Sequence, residues 1–106
     1  MNSMGNLRRT HMCGELRLSD VNKEVILMGW VQKERNLGSL IFIDLRDNSG
    51  ITQIAIKDDN KEIFDKAKDV KSEYVLCVKG DVRERESKNN NIPTGEIEVI
   101  ANELIV

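Results

Sequence analysis

Between Asp58 and Glu73 the hydrophobic period of this chain changes once, and the place of that change restricts the possible folds more than any other feature. Ile63, Phe64, Ala67 and Val70 fall at i, i+1, i+4 and i+7 with lysines and acids between them. That spacing predicts one short amphipathic helix over 58–73. On both sides of it the period is two. Before it lie "VILMGWVQKER" (Val25 to Arg35), then Leu40 to Asp47, then Ile51 to Lys57. All three are rich in β-branched and aromatic residues, as strands are. Asn48-Ser49-Gly50 joins the second and third with a glycine-ended three-residue turn, which predicts an antiparallel hairpin. After the helix, "YVLCVKGDVRERE" sets Tyr74, Leu76, Val78 and Val82 against Lys79, Arg83 and Arg85. In the last segment, Glu96 to Val106, Ile97 and Val99 oppose Glu96 and Glu98.

Three strands, one helix and two strands is the order of an all-β, five-stranded Greek-key barrel of the OB type, with its helix between strands 3 and 4. Gly29, inside the long first strand, supplies the bulge or sharp bend that a small barrel needs at a corner. An open α+β sandwich is the alternative arrangement. The length, 106 residues, admits one modest core. The polar, turn-rich residues 1–12 are expected to form a flexible N-terminal lead, and 13–106 the domain.

Composition excludes several functions. No apolar run approaches the eighteen residues of a membrane span, and the N-terminus lacks the apolar region of a secretory signal. Two cysteines, Cys13 and Cys77, and one histidine, His11, make neither a disulfide framework nor a metal set. Phosphate-cradling glycine loops, nucleophile elbows and His/Cys or His/carboxylate pairs are missing, so no catalytic residue is expected. The net charge of −2 argues against a protein that grips a phosphate backbone by its overall field.

One residue stands out against this pattern. In "LIFIDLRD", Phe42 shares the polar face of its strand with Asp44 and Arg46. On the next strand the polar face carries Gln53 and Lys57. Strands 2 and 3 of an OB barrel, with the flanking loops, form its usual platform for single-stranded nucleic acid or sugar. There a ring can stack on an unpaired base for about 1–3 kcal/mol, tolerant of which base it is, while an amide can choose among Watson–Crick edges. Alternatively Phe42 covers the barrel edge and Gln53 is a solvated polar residue. Arg35 can reach a phosphate or a base at the mouth of the barrel, or simply ends a charged strand. Glu98 can accept from a base amino group. Arg83, Arg85 and Lys88 can track phosphates, although Glu84 and Glu86 interleave with them.

The stretches "RTHMCGELR", "VILMGWVQKERNLGSLIFIDLRDNSGITQI", "VKGDVRER" and "TGEIEV" together resemble the N-terminal anticodon-binding domain of the bacterial-type aspartyl-tRNA synthetase family. The likeness spans Arg9 to Val106. Its central part is shared with the asparaginyl- and lysyl-tRNA synthetases, the other class IIb enzymes, whereas the first and last stretches favour the aspartyl branch. The resemblance implies a barrel that reads the splayed anticodon loop of the aspartate tRNA. Phe42 would stack on the central uridine and Gln53 would hydrogen-bond it. Arg35 and Glu98 would contact neighbouring anticodon bases, and Asn89 would help to read the first. It also implies a cytoplasmic, homodimeric parent, whose class II catalytic domain uses ATP and magnesium. That domain has no counterpart in these residues, so the chain is expected to be inactive alone and to need no cofactor itself. A generic single-strand-binding OB module, or the anticodon domain of an asparaginyl or lysyl enzyme, is the alternative. The chain departs from the family at Lys33-Glu34-Arg35, where three basic residues are usual, at Asn36, and in the short loop "SKNNNIPTG".

Overall fold

The computed structural model describes residues 8–106, so 1–7 of the expected lead lie outside the described residues. The strands are β1 (Glu24–Asn36), β2 (Leu40–Asp47), β3 (Gly50–Lys57), β4 (Val75–Glu84) and β5 (Ile97–Ile105), with α1 (Lys61–Lys68) between β3 and β4. They close into a barrel in the order β1-β2-β3-β5-β4, the five-stranded architecture that the segment order predicts. The β2–β3 hairpin runs in unbroken antiparallel register from Leu40↔Lys57 to Asp47↔Gly50. Closure depends on a short parallel contact in which Ile54 pairs with Val99 and Ala55 with Ile100.

Alternation fills the interior. Ile41, Ile43, Leu45, Ile54, Ile56, Val78, Val82, Ile97 and Val99 are fully buried, and Leu76 joins them. Tyr74, expected on this stripe, stands outside β4 and is 41% exposed, because its backbone has already been turned to accept from the Val31 N–H. Ile63, Phe64, Ala67 and Val70 cover one end of the barrel, the apolar set expected of the helix. The helix itself is shorter than 58–73. The Asn60 side chain accepts from the Ile63 N–H and fixes its start. Beyond Asp69 the chain turns, and Glu73 takes a φ of 71°, which no helix accommodates.

Gly29 acts differently from the expected bulge. It pairs in regular register with Leu76, and the register shift of β1 falls between Val31 and Lys33. A Cβ at Gly29 would lie 2.3 Å from the Arg46 carbonyl oxygen, so the glycine permits close approach of β2.

At the hairpin-turn end, the segment before β1 docks through backbone groups. Thr10 exchanges hydrogen bonds with Ile26, the Cys13 N–H donates to Asp47 Oδ2 at 2.8 Å, and the Gly14 N–H donates to Ser49 Oγ at 2.7 Å. Cys13 is fully buried; burial and then the Asp47 carboxylate push its thiol up to about 12, so it stays protonated.

Candidate nucleic-acid interface

A cavity of about 630 Å³ opens on the outer face of the barrel, over the β3–β5 junction and between the end of β1 and the end of β4. Alternation on each strand dictates what faces it. Arg35 is the register partner of Phe42, and Phe42 of Ala55, so β1, β2 and β3 present these side chains in a row. The Ile54↔Val99 pairing brings the preceding residues, Gln53 and Glu98, side by side. Arg35, Phe42, Gln53 and Glu98 all line the same cavity.

They are also in contact with one another. Gln53 is only 6% exposed, so it is not the solvated amide of the alternative reading. Its Nε2 donates to Glu98 Oε1 at 2.9 Å, and its Oε1 faces Arg35 Nη2 at 3.5 Å. The amide orientation follows from chemistry, since a guanidinium only donates and a carboxylate only accepts. Among the described residues, one N–H and one lone pair of the amide have no partner. The Arg35 guanidinium lies over the Phe42 ring, 5.1 Å from its centroid. Phe42 is half-buried and lines the cavity with the planar Arg35 cation resting on its ring.

Asn89 is not brought into this group. It sits in the loop between β4 and β5, where its Oδ1 accepts from the Asn91 N–H and its own N–H donates to the Gly95 carbonyl. Glu34 turns away from the cavity: its register partner is the fully buried Ile43, and burial pushes its carboxyl upward. Arg85, grouped in the sequence with Arg83 and Lys88 as a phosphate contact or a solvated edge, is not a solvated edge residue. It is 8% exposed, lines the cavity and donates through Nε to the Ile97 carbonyl at 3.0 Å. Strand parity was the available clue, because the Arg85 N–H pairs with Glu96 and so Arg85 shares the face of Glu98.

The cavity walls carry four basic and four acidic side chains, so its formal charge is balanced. Among the described residues no three His, Cys, Asp or Glu converge as a metal site, and no helix is long and apolar enough to cross a membrane. What the groove offers is an aromatic face, a pinned amide, four carboxylates and three guanidinium groups, chemistry of the kind that contacts unstacked bases.

Comparison with known proteins agrees. The sequence profile of the tRNA anti-codon family, an OB-fold nucleic acid binding domain, matches residues 25–106. This chain belongs to that family. The domain is 54% identical over 104 residues, 95% of its length, to an aspartate–tRNA(Asp/Asn) ligase of Caldanaerobacter subterraneus subsp. tengcongensis. It is 54% identical over 99 residues, 92% of its length, to an aspartate–tRNA ligase of Bacteroides thetaiotaomicron. It spans only 18% and 17% of those two proteins. Among solved structures it superposes with a TM-score of 0.79 and 30% identity on asparaginyl-tRNA synthetase from Pyrococcus horikoshii, covering 94% of this chain and 22% of that one.

Proposed function

We propose that this OB domain is the anticodon-reading module of an aspartyl-tRNA synthetase and binds the anticodon loop of the aspartate tRNA. The observation that carries this reading is the convergence of Phe42, Gln53, Arg35 and Glu98 on one groove. An unstacked central uridine lies on Phe42 after the exposed Arg35 side chain has swung off the ring. The exchange is favourable, because an exposed cation–π contact contributes about 0.5–1 kcal/mol and base stacking about 1–3 kcal/mol. Gln53 then uses its spare lone pair for the uracil N3–H and its spare N–H for a uracil carbonyl, both left free by Arg35 and Glu98. Arg35 and Glu98 turn to neighbouring bases. Asn89, on the rim loop, is assigned to the first anticodon base on the family resemblance alone.

The aminoacylation itself belongs to the remainder of a longer, cytoplasmic, dimeric parent. There ATP and magnesium would serve the catalytic domain, and no residue of this chain is assigned to them. The relatives named for aspartate outweigh the asparaginyl neighbour in identity, which favours aspartate over the other class IIb enzymes.

The test is a fluorescence titration of an anticodon stem-loop with a central uridine. Phe42→Ala is expected to weaken binding by the stacking contribution, about 1–3 kcal/mol. Equal affinity of variant and wild type would refute the site. Equal binding of wild type to loops with any central base would show a generic single-strand module instead.

A further inference from the structure

We propose that Arg35 is the lid of the base site: in the free protein its guanidinium stands in for a nucleobase on Phe42 and Gln53, and a base enters only when it leaves. The inference rests on the anticodon reading and goes beyond it by naming the autoinhibitory contact that a base must displace. Three observations carry it.

The first is imitation of a base by a side chain. The guanidinium is flat, lies over the Phe42 ring with Cζ 5.1 Å from the centroid, and turns Nη2 towards Gln53 Oε1 at 3.5 Å. A uracil stacked on the same ring would bring its N3–H to the same acceptor. Phe42 and Gln53 are thus both occupied from within the chain. The imitation is incomplete in one respect. A guanidinium only donates, so it leaves the second N–H of Gln53 unmet, whereas uracil brings a carbonyl for it.

The second is how lightly the lid is held. Arg35 and Phe42 are register partners across β1 and β2, which sets the side chain beside the ring. Yet Arg35 is exposed, and its one side-chain hydrogen bond among the described residues is the long one to Gln53. The ion pairs among those residues are Lys23–Asp20, Lys68–Asp65, Lys79–Glu24 and Lys88–Glu84, so no carboxylate anchors it. An exposed cation–π contact favours the closed position by about 2- to 5-fold. Opening then takes the rotation of a single side chain.

The third is the fixed acceptor beneath the lid. Gln53 is 6% exposed and its Nε2 donates to Glu98 Oε1 at 2.9 Å. Turning the amide over would aim its oxygen at that carboxylate, so Oε1 keeps its place whether Arg35 is there or not. Two tasks are therefore separate. The lid lowers the affinity for every base by one factor, because apparent affinity scales with the open fraction. The choice of uracil over cytosine, whose N3 is an acceptor, stays with Gln53. A whole anticodon loop offsets the displacement by giving Arg35 a neighbouring base to contact, and a lone nucleoside does not.

The experiment compares the chain as it stands with Arg35→Ala, a change at an exposed position, on two probes. One is uridine, followed by NMR at the Gln53 side-chain amide. The other is a fluorescein-labelled stem-loop with a central uridine, followed by anisotropy. The variant is expected to bind uridine about 2- to 5-fold more tightly than wild type, with the ratio of uridine to cytidine affinity unchanged, and to bind the stem-loop more weakly. Opposite signs on the two probes mark a lid, and because uridine is neutral the lost charge does not produce them. In wild type, nuclear Overhauser contacts between the Arg35 side chain and the Phe42 ring are expected in the free protein and not in the saturated stem-loop complex, a readout that needs no variant. Uridine binding no tighter to Arg35→Ala than to wild type would overturn the proposal. So would Overhauser contacts that are missing from the free protein or that survive in the complex. Each of these leaves the anticodon reading in place as long as wild type prefers a central uridine in the loop. Absence of that preference is a separate result, and it would remove the anticodon reading itself.

Discussion

Asp47 shows how much one side chain can organise. Its Oδ2 accepts from the Cys13 N–H at 2.8 Å, and its Oδ1 from the Ser49 N–H at 2.8 Å and Ser49 Oγ at 2.6 Å. It therefore shapes the hairpin turn and holds the preceding segment against it. Burial would raise its pKa, but the hydrogen bonds from Cys13 and Ser49 outweigh burial and hold the carboxyl below its ordinary range. The folded value is thus depressed. The stabilisation is complete above the unfolded value, about 3.9, and is lost as pH falls through the folded one. Thermal melts followed by circular dichroism should show the wild type losing stability below about pH 4, with a smaller loss in Asp47→Asn, which is already less stable at neutral pH. A pH dependence identical in both proteins would contradict this role. None of it was legible in the sequence, where Asp47 ends a strand and lies close to Asp44 without forming a buried acid pair with it. Phe42 was legible, because an aromatic residue on a polar face breaks a local pattern.

At the scale of elements, the short helix does most of its work through two or three residues. With only eight residues, α1 is too short to be stable alone. What keeps it folded is Phe64, 6% exposed, together with Ile63 and Ala67 against the barrel end. Phe64→Ala should cost about 3–5 kcal/mol, a large part of the 5–15 kcal/mol typical of a domain. Urea unfolding measures it, and a loss under about 1 kcal/mol would show that the helix is not integral to the core. The five strands and their turns were legible because side-chain alternation is local and needs no knowledge of partners. The helix limits and the role of Gly29 were not. The former depend on a cap at Asn60 and a left-handed Glu73, the latter on how closely β2 passes.

For the whole molecule, charge sets the character of binding. The net charge is −2 and the groove carries four charges of each sign, so long-range attraction contributes little. Each phosphate neutralised on a single strand adds about 0.7 to the slope of log K against log salt. The isolated chain should therefore bind its stem-loop with a slope smaller than about 2. A slope above about 4 would mean that backbone contacts dominate and base contacts are secondary. The sequence by itself determined the order of strands and helix, the buried faces and the one misplaced aromatic ring, since each follows from the spacing of neighbouring residues. Only the tertiary structure decided that Arg35 rests on Phe42, that Gln53 is pinned by Glu98 from 45 positions away, and that Arg85 is buried with its Nε–H on the Ile97 carbonyl. The physical reason is that barrel closure joins β3 to β5 through a short parallel contact, and periodicity along a strand carries no information about which distant strand will lie beside it.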